Sequence, residues 1–207
     1  MLEKSGRYLF NLRFMTNIPC NTIYFLEPFF EGYPSVVILN RLENELVSLE
    51  CLDPELEHRE YLNWLRNPKD LPFILSARAD YSASDLRNYI LEINNSVNSI
   101  LFGIYDLALN LHIGNIKFHD ISVQQKNAYV GFLIGDKSFR GKGIAKESFF
   151  LGANLLKDKF GITKFLLGVD SRNISAVKAY QKMGFKIVSE KPLIKSGGND
   201  YRMEFNF

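Results

Sequence analysis

The residues best suited to chemistry lie between Ser138 and Glu147, where the chain reads SFRGKGIAKE. Arg140, Lys142 and Lys146 bring positive charge, and Gly141 and Gly143 bring backbone freedom, just after the apolar run from Tyr129 to Ile134. Glycine lets a turn aim its N–H groups inward, and a helix start adds the positive end of its dipole. This combination suits a diphosphate held without a metal ion. The whole chain has a net charge of only +2, so a local basic cluster points to a small anionic ligand rather than to nucleic acid or an acidic membrane.

Two familiar phosphate loops do not fit. A P-loop needs four residues between its glycines and a hydroxyl after its lysine. Here five residues separate Gly135 from Gly141, and Gly143 follows Lys142. A dinucleotide fingerprint needs a third glycine where Lys146 stands. What remains is the form Arg-x-x-Gly-x-Ala, carried by Arg140, Gly141, Lys142, Gly143, Ile144 and Ala145 between a strand and a long helix.

The elements that must position this loop read from Glu45 onward. ELVSLECL is a strand, and Asp53-Pro54 opens a helix with an apolar stripe at Tyr61, Trp64 and Leu65, ended by Asn67-Pro68. A second helix spans 82–94, with Ser82 and Asp85 at capping-box spacing. Three strands follow at 99–106, 109–121 and 127–135. A helix over 143–160 comes after the loop, then the strand KFLLGVD. Asn173 caps the helix ISAVKAYQKM, which Gly184 stops. FKIVSE and DYRMEFNF close the sheet, with GGND as a turn before the last strand. The expected fold is a mixed α/β (α+β) domain over 45–207 with a mostly antiparallel sheet flanked by helices. Residues 1–44, rich in aromatics, are expected to form an extension, either a short strand pair or an arm packed on that domain.

Two segments in this order resemble the GNAT N-acetyltransferase superfamily. RGKGIAKES is similar to the family's pyrophosphate-gripping motif, and NISAVKAYQKMGF, residues 173–185, is similar to its second signature. With IGNIKFHDI and NAYVGFLIGD, the chain looks most like the branch of ribosomal-protein N-terminal acetyltransferases and related small-molecule acetyltransferases. The resemblance covers roughly residues 45 to 207. It implies acetyl-CoA as acetyl donor, with Arg140 to Ala145 on its pyrophosphate. It also implies central strands splayed so that backbone groups of Phe132, Leu133 and Ile134 bind the pantetheine arm and stabilise an oxyanion. Asn173 and Ser175 become cofactor contacts, and Tyr180 the general acid. A phenol of pKa about 10 can protonate a thiolate of pKa about 8.5 only when held within hydrogen-bond reach.

The general base is not assigned. Many relatives carry a glutamate where this chain has Tyr129. Glu147, in the first turn of a helix, suits the helix dipole. His119 and Asp120 end a neighbouring strand and are further candidates. Without a strong base, acceptors whose amine is partly neutral near pH 7 are favoured: a protein N-terminus of pKa about 8 or an amino sugar, rather than a lysine of pKa about 10.4. The acceptor pocket is expected to involve Asn67 to Ser84. A competing reading is a GNAT-fold module that binds coenzyme A without turnover.

Composition narrows the setting. Two cysteines, Cys20 and Cys51, form no disulfide framework and no metal-ligand spacing, so a cytoplasmic protein with no metal is expected. The most apolar window, Ser99 to Gly114, is broken by Asp106, Asn110 and His112, which argues against a membrane span. The sequence MLEKSGRYLFNLRF lacks the pattern of a signal peptide. Expected partners are coenzyme A and an amine acceptor, with the protein a monomer or homodimer.

Overall fold

The computed structural model describes residues 22–25, 35–38, 41–193 and 198–207. The strands are β1 (Thr22–Phe25), β2 (Ser35–Ile38), β3 (Leu42–Glu43), β4 (Val47–Cys51), β5 (Ile100–Asp106), β6 (Leu111–Ser122), β7 (Asn127–Ile134), β8 (Lys164–Asp170), β9 (Lys186–Leu193) and β10 (Gly198–Asn206). The helices are α1 (Arg59–Leu65), α2 (Ala83–Asn94), α3 (Ile144–Phe160) and α4 (Ile174–Met183). Among the described residues, β3 to β10 form one sheet in the order β3-β4-β5-β6-β7-β8-β10-β9. Every pairing in it is antiparallel except that of β7 with β8. β1 and β2 pair antiparallel with each other. Most of the expected extension lies outside the described residues, and β3, which precedes Glu45, is the edge strand beside β4.

Local chemistry explains most boundaries. The Ser82 hydroxyl accepts from the Asp85 amide while the Asp85 carboxylate accepts from the Ser82 amide, so α2 starts in a closed capping box. Gly161 and Gly184 end α3 and α4 at φ 67° and 103°, the left-handed region that glycine enters without cost. Helix α1 begins at Arg59 rather than at Pro54. Asp53 instead closes a turn on itself: its carboxylate accepts from the Glu55 amide at 2.9 Å, and its carbonyl accepts from Leu56 N at 3.1 Å and from the His58 ring at 2.8 Å. The expected GGND turn is corrected in the same way. Gly198, Asn199 and Asp200 already pair with β9, while Gly197 lies outside the described residues.

The sheet separates two apolar layers. Behind it, α3 and α4 bury a core centred on Phe149, whose ring meets Phe132, Phe165, Phe185 and Phe205. Gly152 permits the approach of α3, since a methyl there would fall 2.5 Å from the Phe118 ring. In front, α1 and α2 bury Tyr61, Leu65, Leu86, Ile90 and Ile93 against Leu101 and Leu133. No helix of the described residues is long and apolar enough to cross a membrane.

Candidate active site

The loop from Asp136 to Gly143 is held rigidly at its base. The Asp136 carboxylate accepts from the Ser138 amide at 2.8 Å and from its hydroxyl at 2.7 Å, winding Lys137–Phe139 into one 3-10 turn. The amides of Gly135 and Asp136 both donate to the Ile113 carbonyl, at 3.1 and 3.2 Å. Arg140 bends back: its Nε donates to the Ile134 carbonyl at 2.9 Å, with longer contacts to the carbonyls of Gly135 and Asp70. Its charge therefore braces the loop at the end of β7 as well as raising the local potential.

Beyond that brace the backbone opens. Gly141 and Gly143 sit at φ 75° and 84°, and a methyl on either would meet open space, so glycine is required there for conformation rather than for room. Gly143 is the N-cap of α3 and offers no side-chain acceptor. The first backbone bond of the helix runs from Glu147 N to Gly143 O. Among the described residues, none accepts a hydrogen bond from the amides of 141–146. Such unsatisfied donors at a helix start make an anion site.

Gly141 and residues 143–146 border a cavity of about 850 Å³. It brings together the expected Phe132, Leu133 and Ile134 from β7, Arg140, Gly141, Gly143, Ile144 and Ala145 from the loop and α3, and Asn173, Ser175 and Tyr180 around α4. Lys142 is the one expected site residue outside the lining, its ammonium lying over the Phe139 ring at 5.1 Å. Lys137 and Lys146 of the basic cluster and Lys69 also line the cavity, and the sequence reading missed Lys178 and Lys182, one helical turn apart on α4. The i, i+4 spacing of these last two was their available signal. Lys69 to Ile74 form a further wall, fastened by an ion pair of 2.7 Å between Lys137 and Asp70. This is part of the segment expected to shape the acceptor pocket.

Tyr180 is placed by helix ends. The Asn173 side chain accepts from the Ala176 amide at 3.2 Å and from the Ser175 hydroxyl at 3.0 Å, and Gly184 stops the helix after the tyrosine. The ring lies 5.4 Å from that of Phe132, and desolvation pushes its phenol up to about 12. Among the described residues, no hydrogen-bond partner holds its hydroxyl. It is therefore a protonated, uncommitted donor facing the cavity.

The two central strands part company early. β7 and β8 pair only from Asn127–Lys164 to Tyr129–Leu166. Among the described residues, no strand pairs with the edge of β7 that faces β8 from Val130 onward. The residues 49–186 match the family model of the acetyltransferase (GNAT) domain. The chain belongs to the GNAT acetyltransferases. Comparison with curated proteins found no match.

Solved GNAT structures share this fold at low identity. RimL, a ribosomal L7/L12 α-N-protein acetyltransferase in complex with coenzyme A, matches at a TM-score of 0.69 and 16% identity, over 81% of this chain and 98% of that one. A spermidine N-acetyltransferase from Vibrio cholerae, in complex with coenzyme A and spermine, matches at 0.67 and 19%, over 79% and 96%. A GNAT-family acetyltransferase from Bacillus anthracis matches at 0.68 and 12%, over 80% and 98%. In this GNAT chain the considered bases lie apart from the cavity. Tyr129 stacks on His119 with centroids 5.6 Å apart, and the His119 ring contacts the Asp120 carboxylate at 2.9 Å. Glu147 accepts from the Asn44 side chain at 3.2 Å.

Proposed function

We propose that the protein is an N-acetyltransferase that moves an acetyl group from acetyl-coenzyme A to a primary amine by direct attack. The acceptor class favoured is a protein N-terminus or a small amine such as an amino sugar. One observation carries this reading: the residues with unpartnered amides at Gly141 and 143–146 line the same cavity as Tyr180, whose hydroxyl is uncommitted. The residues fit the donor. Lysines 69, 137, 146, 178 and 182 line the cavity and suit a polyanion, while Phe132, Ile144 and Ala179 suit an apolar arm. Bound coenzyme A in the fold neighbours supports the assignment.

When bound, acetyl-coenzyme A supplies a thioester carbonyl open to attack and a thiol leaving group. The amides of 141–146 hold the diphosphate, aided by the dipole of α3. Edge amides of Phe132 to Ile134 serve as donors where negative charge develops on the carbonyl oxygen. Tyr180 Oη gives its proton to the departing sulfur. Tyr129, in place of a carboxylate, favours acceptors whose amine is partly neutral near pH 7.

Thiol release from acetyl-coenzyme A across a panel of amines tests the reading. Release with at least one primary amine is expected. Thermal stabilisation by the donor with no turnover on any amine would favour the competing reading, a coenzyme-A-binding module.

A further inference from the structure

The face of the sheet opposite α4 carries a window between β7 and β8. Parallel pairing ends at Tyr129 and Leu166, so two residues further on Gly131 and Gly168 stand at the same level on the front face. Neither fills the gap. A methyl at Gly131 would meet nothing within 4 Å, and one at Gly168 would meet only the Asp200 carboxylate, at 3.4 Å. Arg202 pairs with Gly168 and lies over the Tyr129 ring at 5.9 Å, which puts Asp200, Arg202, Gly168 and Tyr129 on one face. Tyr180 and Phe132 lie on the other face, packed against the core behind the sheet.

Asp200 differs from the other carboxylates near these strands. Asp170 is bound by the Arg172 guanidinium, Glu204 pairs with Lys164 at 3.5 Å, and Asp120 is engaged by His119. Among the described residues, Asp200 has neither a hydrogen bond nor an ion pair through its side chain. Lys191 stands opposite it in the β9 register without forming an ion pair. A half-buried carboxylate that remains uncommitted beside an opening is available for proton transfer.

We propose that Asp200 is the general base, which deepens the acetyl-transfer reading and rests on it. The amine enters through the Gly131–Gly168 window. Its nitrogen forms the new bond to the acetyl carbon and its proton passes to an Asp200 carboxylate oxygen. The carbon–sulfur bond breaks with its electron pair going to sulfur, which takes the Tyr180 proton. Asp200 then returns its proton to water and Tyr180 regains one, leaving amide and free thiol. This puts the base on β10, far in sequence from Tyr129, where a sequence comparison would look for it.

The test uses the whole chain with two probes, an unblocked tripeptide and glucosamine, and the better acceptor of the two. Asp200→Asn is expected to lower kcat about a hundredfold, the scale of general-base catalysis, with affinity for coenzyme A within twofold of wild type. Asp200→Glu is expected to recover part of the loss. The carbon resonance of the Asp200 carboxyl in labelled protein is expected to shift when the amine is added, and not when its acetylated product is. An Asp200→Asn rate within threefold of wild type, or an unmoved carboxyl resonance, overturns the inference while the acetyl-transfer reading stands. A wild-type protein that turns over neither probe nor any other amine overturns both.

Discussion

Trp64 of α1 packs directly on the backbone of Gly135, so closely that a methyl there would overlap the indole ring. The contact joins the front helices to the point where β7 turns into the glycine-rich loop before α3. The same indole lies 5.1 Å from the His112 ring, so this one side chain ties α1, β6 and the loop base together.

Gly135→Ala is therefore expected to destabilise the fold by about 2–3 kcal/mol through overpacking. Chemical denaturation measures this. In a background of Trp64→Ala the same change should cost less, because the ring it strikes is gone, and a double-mutant cycle would show the coupling.

Gly143→Val addresses the loop itself. The substitution meets no neighbour, so its cost comes from forcing φ 84° on a β-branched residue, roughly 1–2 kcal/mol. If the backbone relaxes, the amides turn away from the cavity. Calorimetry should show affinity for coenzyme A falling at least tenfold while the fold persists.

Tyr180→Phe is expected to lower kcat at least tenfold with little change in coenzyme A affinity. Because desolvation holds the phenol near 12, it stays protonated across the working range. The wild-type rate should then show no alkaline decline from this group below about pH 11. Equal rates for wild type and variant would remove Tyr180 from the proton transfer.

His112 makes a prediction about stability. Its ring sits among Tyr105, Trp64, Tyr61 and His58, and its Nε2 donates to the Gly114 carbonyl and the Asn115 side chain, both at 3.0 Å. Burial lowers its pKa below the ordinary 6.5, so the folded state holds it neutral while the unfolded chain takes up a proton. Stability from this source is present above pH 6.5 and is lost as pH falls through the lowered value, by at most about 1.4 kcal/mol per pH unit. Thermal melts from pH 5 to 8 should show this slope, and His112→Gln should flatten it.

The fold was largely legible because its signals are local. Ser82 with Asp85, Asn173, Gly161 and Gly184 mark helix ends by chemistry that acts within a few residues. Gly141 and Gly143 mark the loop for the same reason. Asp53-Pro54 misled because an Asx turn and a helix cap use the same carboxylate, and the choice depended on where His58 reached. The wall at Lys69 to Ile74 is joined to the loop by Asp70 and Lys137, residues far apart in sequence whose proximity only the folded chain creates. Asp200 falls where the expected GGND turn meets the DYRMEFNF strand, and only the pairing of β10 with β8, Asp200 opposite Asp170, brings its carboxylate near Gly168.

The central claim is that the amides from Gly141 to Lys146 hold a diphosphate. Titrating isotopically labelled protein with coenzyme A, and following the backbone amide resonances, tests it most directly. The account predicts downfield shifts at these six positions that saturate together, larger than those elsewhere in the chain. Resonances at 141–146 that stay in place while coenzyme A binds would contradict it.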